Sequence, residues 1–158
     1  RNVIQVDRKQ KAMKLKRIMM TTAASALLLV ACGTDIHYHK YLHINSEGWD
    51  KSDTMRFIPH TPLSTNQQYE YHIGIRHDDS YPYSDIWLTI GTDTAHIYLA
   101  DKNGNWIGNG IGQIRQLEVP IYLNNTADSI TQISVIHLME HNPLPGLHNI
   151  GLRIKEVH

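Results

Sequence analysis

Hydrophobic and polar residues take turns along much of this chain. In Tyr69-Glu70-Tyr71-His72-Ile73-Gly74-Ile75-Arg76-His77, the apolar positions are two apart and the polar ones fill the gaps. A period of two predicts a strand with one face buried and one in water, and helix spacing fails here. The same alternation groups Ile86, Leu88 and Ile90, then Leu117, Val119, Ile121 and Leu123, and later Ile150, Leu152 and Ile154. Shorter strands are expected at His39 to Ile44, Met55 to Ile58, Ala95 to Leu99 and Ile133 to Leu138. Turn-forming residues separate them at Asn45 to Gly48, Pro59 to Asn66, Asp78 to Pro82, Asp101 to Gly104, Asn124 to Asp128 and Asn142 to Gly146. About eight strands at this spacing, with no long helical pattern after residue 36, predict an all-β fold, an antiparallel β-sandwich of jelly-roll type. Pro120 lacks the N–H a ladder needs, so its strand is expected at a sheet edge or bulged there.

A different pattern precedes the strands. Lys14, Lys16 and Arg17 are followed by an apolar run from Ile18 to Val30, diluted by Thr21, Thr22 and Ser25, and small Ala31 stands before Cys32. Basic flank, short apolar core and small residue are the layout of an export signal. A membrane span needs about 20 mostly apolar residues, and this run is shorter. Leu29-Val30-Ala31-Cys32 resembles the lipobox of bacterial lipoproteins, in which cleavage precedes the cysteine and its thiol takes up diacylglycerol. Cys32 is the only cysteine, which excludes an internal disulfide and any cysteine-rich zinc site. The expected organisation is an upstream extension and signal peptide over 1–31, with Met13 as the start, an acylated tether over 32–37, and a β-sandwich over 38–158.

Removing the leader changes the charge balance. The whole chain has 15 Lys+Arg and 15 Asp+Glu, but the part from Cys32 onward keeps eight of the former and fourteen of the latter, a net charge of −6 with histidines neutral. An acidic body without a basic stripe suits neither nucleic acid nor anionic lipid, since both are held largely by Lys and Arg. Membrane attachment then falls to acyl chains on Cys32, each buried CH₂ contributing about 0.8 kcal/mol. Gly33 to His37 reach about 17 Å at most, which keeps the body near the bilayer. Gly33 stands where inner-membrane retention in enteric lipoproteins uses an aspartate, which favours the outer membrane.

Candidate chemistry is sparse. Eleven histidines suggest metal binding, and His37 and His39 would share a strand face, yet no HExxH and no further ligand follows, so solvated histidines are the plainer reading and no metal site is assigned. His72, His77, Glu140 and His141 read as surface or loop residues. No GxSxG elbow and no marked carboxylate pair points to hydrolysis, and no cofactor motif is seen. Asp101, Gly104, Gly108 and Gly110 read as a hairpin followed by a glycine-rich, closely packed segment near Trp106; the GxGxG register is not that of a dinucleotide fold. Tyr81, Tyr83, Trp87 and Trp106 could gather into a surface for a protein partner or a sugar. For Trp87, which alternates with Ile86 and Leu88, burial in the sandwich is the favoured reading, and for the loop tyrosines both readings stay open.

Four stretches carry a more specific likeness: Gly48-Trp49-Asp50-Lys51-Ser52-Asp53-Thr54, Tyr81 to Leu88, Leu99 to Gly112, and Met139 to Ile154. In order and spacing they resemble the gliding-motility lipoprotein GldH family, over nearly all of the chain after Cys32. Asp85 and Glu140 depart from its pattern, standing where Asn and Arg would be expected. The resemblance implies a lipoprotein of gliding bacteria and their relatives, linked to the gliding machinery and the associated secretion and cell-envelope apparatus, and it brings no activity, cofactor or catalytic residue. The expected function is a non-enzymatic, outer-membrane accessory that docks to envelope proteins. The alternatives are a surface glycan-binding module using the aromatic loops and, third, a metal-dependent enzyme.

Overall fold

In a computed structural model of this chain, residues 35–157 are described apart from Thr65 and residues 125–128. Cys32 and the leader lie outside them, as does the first part of the tether. Eleven strands follow one another: β1 (Ile36–His43), β2 (Met55–Phe57), β3 (Leu63–Ser64), β4 (Gln68–His77), β5 (Asp85–Ile90), β6 (Asp93–Tyr98), β7 (Asn109–Ile111), β8 (Ile114–Ile121), β9 (Ser129–Ile130), β10 (Ile133–His137) and β11 (Leu147–Val157). All eight expected strands are among them; β3, β7 and β9, two or three residues each, are additional. β1 starts at Ile36, three residues before the strand start expected at His39.

The strands form a five-stranded sheet in the order β1-β11-β4-β8-β7, a four-stranded sheet in the order β2-β10-β5-β6, and a ribbon of β3 with β9. All pairings are antiparallel. If only the eight strands expected from the sequence are numbered along the chain, the orders become 1-8-3-6 and 2-7-4-5. That is the double Greek-key wrapping of a jelly roll, the type of sandwich expected from the number and spacing of the strands.

The core lies between the two main sheets. Tyr71, Ile73 and Ile75 of β4 stand opposite Ile154, Leu152 and Ile150 of β11 and face the same way, and Ile86, Leu88 and Ile90 of β5 meet them with Phe57, Ile133 and Val135. Burying each such side chain contributes roughly 1.5–3 kcal/mol, so a register slip that turned one strand over would cost most of its share of the core. Pro120 sits in the part of β8 that β7 leaves uncovered, because β7 pairs only with Ile114 to Gln116. This is the edge position expected for it.

On the outer face of the five-stranded sheet, Tyr41 lies across two paired glycines, Gly74 and Gly151. A Cβ at Gly151 would come 2.6 Å from the tyrosine ring, so the flat side chain requires both positions to be bare. The Arg76 guanidinium stands 4.2 Å above the same ring, a cation–π contact, and Arg153 pairs with Glu118 beside it.

The strand directions give the sandwich two ends. Asp35 accepts a bond from Glu156, and Val157 pairs with Gln68, so the chain enters the body at the end where β11 finishes. We call this the entry end. His43, His77 and Leu147 lie at the opposite, far end.

Candidate functional site

The far end is where the distinctive stretches meet. Trp49 is fully buried; its indole N–H donates to the Asp53 carbonyl at 2.7 Å, its backbone pairs with Leu144, and its own carbonyl lies 2.9 Å from His137 Nε2. The Lys51 N–H donates to Asn142 Oδ1 at 2.7 Å. Gly48 to Thr54 and Met139 to Gly146 are thereby knitted into one layer, although some 90 residues separate them.

Tyr81 belongs to this layer and not to a surface. It is 3% exposed, its hydroxyl donates to the Asp85 carbonyl at 2.8 Å, and burial pushes its phenol well above the ordinary value, so it stays a donor. Any side chain on Gly146 would run into the Tyr81 backbone. Tyr83 is half-buried and meets His141 Nδ1 at 2.5 Å. Trp106 is half-buried with its ring 4.6 Å from that of His77. The four aromatic residues therefore do not gather on one face: three pack into the far end, and only Trp87 is turned to solvent.

For Trp87 the alternation prevails over the expectation of burial. It is 43% exposed and stands on the outer face of the four-stranded sheet, directly opposite His96 of β6, with Leu138 on its other side through a Leu138 N–H bond to the Trp87 carbonyl. The Trp87 and His96 rings stack at 4.1 Å and 8°, Tyr98 leans on His96 at 4.5 Å, and Asp85 Oδ2 holds His96 Nε2 at 2.6 Å. Leu138 is 50% and Tyr98 62% exposed. A Leu138–Trp87–His96 row with Tyr98 beside it is thus held rigidly in the open, and it was Leu138, His96 and Tyr98 that the sequence did not single out. Since Trp87 turns one ring face to His96, that face is closed to a sugar.

The glycine-rich segment performs the turn expected of it. Asp101 Oδ1 accepts the N–H groups of Asn103 at 2.8 Å and Asn105 at 2.9 Å, and the Asn105 bonds above all hold its carboxyl below the usual range. Gly104 has φ +83° and Gly108 φ +102°, and both Gly108 and Gly110 lie tight against β8, at Gln116 and Arg115 respectively. Beside them Asp79, Asn105, Trp106 and Arg115 line an open cleft of about 550 Å³.

Two histidines read as surface residues, His72 and His77, are withdrawn from solvent. His77 and His137 are fully buried and His72 nearly so; His77 and His137 keep the parity of the core-facing residues on their strands. Desolvation lowers all three below the ordinary histidine value. The unfolded chain then binds protons that the folded one refuses, so stability is complete above about pH 6.5 and declines as pH falls below it. Urea unfolding at pH 7 and pH 5 is expected to show a lower midpoint at pH 5, with a flatter dependence in His137→Gln. Equal midpoints for the unaltered protein would remove this account. His37 and His39 do not combine: a register shift lies between Ile36 and Tyr38, His37 packs on Tyr69 and His39 on Tyr41. Among the described residues no three of His, Cys, Asp and Glu stand together as metal ligands, and no helix is long and apolar enough to cross a membrane.

A jelly-roll body that follows a lipobox-like cysteine by three residues has the build of a small lipoprotein. The chain belongs to the GldH lipoprotein family, whose sequence model matches residues 36–154. It is also similar to a gliding motility lipoprotein GldH homolog from Christiangramia forsetii, 23% identical over 148 residues, covering 82% of this chain and 90% of that protein. No solved structure matches it.

Proposed function

We propose that this protein is a non-catalytic accessory of the gliding machinery and its associated secretion apparatus, moored to the outer membrane by acyl chains on Cys32, and that it works by docking to envelope proteins. Family membership and the name of the Christiangramia relative support the setting. The observation that carries docking is the Leu138–Trp87–His96 row, with Tyr98, displayed on the outer face of the four-stranded sheet. Large aromatic residues fixed in place lose little conformational freedom on binding and are the kind of anchor that dominates protein interfaces.

Tyr81 is unsuited to testing this, since its substitution disturbs the far-end layer. Trp87→Ala removes an exposed ring and leaves the core intact. It is expected to cut recovery of crosslinked envelope partners at least tenfold while the thermal midpoint moves by no more than a few degrees. Partner recovery equal to that of the unaltered protein would refute docking through this face. The glycan reading keeps one place, the cleft beside Trp106; retardation in polysaccharide gels that Asn105→Ala abolishes and Trp87→Ala does not would move the function there.

A further inference from the structure

β6 is the last strand of its sheet, with no strand beside it among the described residues. Its backbone groups divide cleanly. The Leu138 N–H donates to the Trp87 carbonyl, so Trp87 and Thr89 turn their backbones to β10, and Ile86, Leu88 and Ile90 turn theirs to β6. Their partners Ile97, Ala95 and Asp93 are thereby satisfied. Thr94, His96 and Tyr98 are left with three N–H groups and three carbonyls directed away from the sheet.

Such an edge is usually guarded, by proline, lysine, an inward charge or a bulge. Asp93 to Tyr98 contain none of these: the run is Asp-Thr-Ala-His-Ile-Tyr in unbroken register with β5, and the Asp93 carboxylate is engaged by Asn124. The neighbouring open stretch of β8 is different, since Pro120 removes a donor there. Between the two strands runs a groove of about 480 Å³ with Ala95, Ile97, Val119 and Ile121 in its walls. A strand laid along β6 would send alternate side chains into this groove, and the others out beside Tyr98 and His96.

We propose that the free edge of β6 is a strand-addition site, at which an extended segment of a partner protein, apolar at every second residue, pairs with the backbone of Thr94, His96 and Tyr98. Main-chain bonds supply affinity in this mode and alternate side-chain positions supply selectivity. The inference rests on the docking reading above and names the form the partner takes. A second copy of this chain fits poorly. β6 runs from Asp93, at the entry end, towards the far end, so copies moored in one leaflet present it in the same direction, whereas identical edges paired about a two-fold axis run antiparallel.

The test uses the full acylated protein in its own host, mildly crosslinked, with partners quantified by mass spectrometry and backbone amide exchange followed in the purified complex. Thr94→Pro takes away one outward N–H, a change an edge strand tolerates, and Ala95→Lys sets a charge at the groove. Both are expected to lower partner recovery at least tenfold, Thr94→Ala less than twofold, and the complex should protect the amides of Thr94, His96 and Tyr98. Full recovery with Thr94→Pro and Ala95→Lys, with those amides exchanging as in the free protein, would overturn strand addition, while loss with Trp87→Ala would leave docking standing. If Trp87→Ala also recovered partners fully, both readings would fall. Protection accompanied only by a doubling of the protein's own mass would assign the edge to self-association and overturn the partner named here.

Discussion

Cys32→Ala is expected to leave the body folded and release it from the membrane fraction. On the proposed mooring the thiol carries the lipid, and each acyl CH₂ withdrawn from the bilayer costs about 0.8 kcal/mol, so losing two chains would remove most of the affinity. The part from Cys32 onward has a net charge of −6 with histidines neutral, so charge would not hold it to anionic lipid. Among the described residues, pairing in the sandwich begins at Ile36, and the unfolding midpoint is expected to change little. Fractionation by ultracentrifugation, with intact-mass measurement of the unaltered protein, reads both quantities. A Cys32→Ala form that sediments with membranes as before, or an unmodified thiol in the native protein, would overturn the mooring and with it the orientation used for β6.

Trp49→Ala should have the largest effect on stability. The ring is wholly buried, lies 5.2 Å from the His137 ring, and its N–H is the donor that satisfies the Asp53 carbonyl. Truncating a buried tryptophan typically costs about 3–5 kcal/mol, which for a domain of this size lowers the thermal midpoint by on the order of 10–20 °C. Trp49→Phe keeps much of the volume but loses the donor and should fall between. Melting followed by circular dichroism measures the shift, and a loss below a few degrees would show that the far-end loops are held together by other means. Membrane attachment should survive in both variants, which separates this effect from that of Cys32.

The strands and their buried faces could be read from the sequence because a sheet with one wet side writes a period of two. Residues 69–77 show it plainly, and the same rule put Trp87 outside; only the size of its side chain argued for burial. Histidine identity misled in the opposite way at 77, where parity with Ile75 pointed inward, and the same parity with Val135 would have placed His137 inside. Tyr81 had no local signal, because the residue that closes over its backbone, Gly146, is brought to it from 65 positions further along the chain. β3, β7 and β9 are too short to show a period. The open edge of β6 was illegible for a further reason: which strands end a sheet depends on strand order, and strand order is set by long-range pairing. Pro120 was the exception, announcing its edge through a missing donor.

The tyrosine resting on Gly74 and Gly151 has a consequence for how this fold can drift. Those three positions, far apart along the chain, amount to a single inherited choice: a methyl group gained at either glycine evicts the ring, and a ring lost from position 41 frees both glycines to vary. Descendants of this protein should therefore change the three together or not at all.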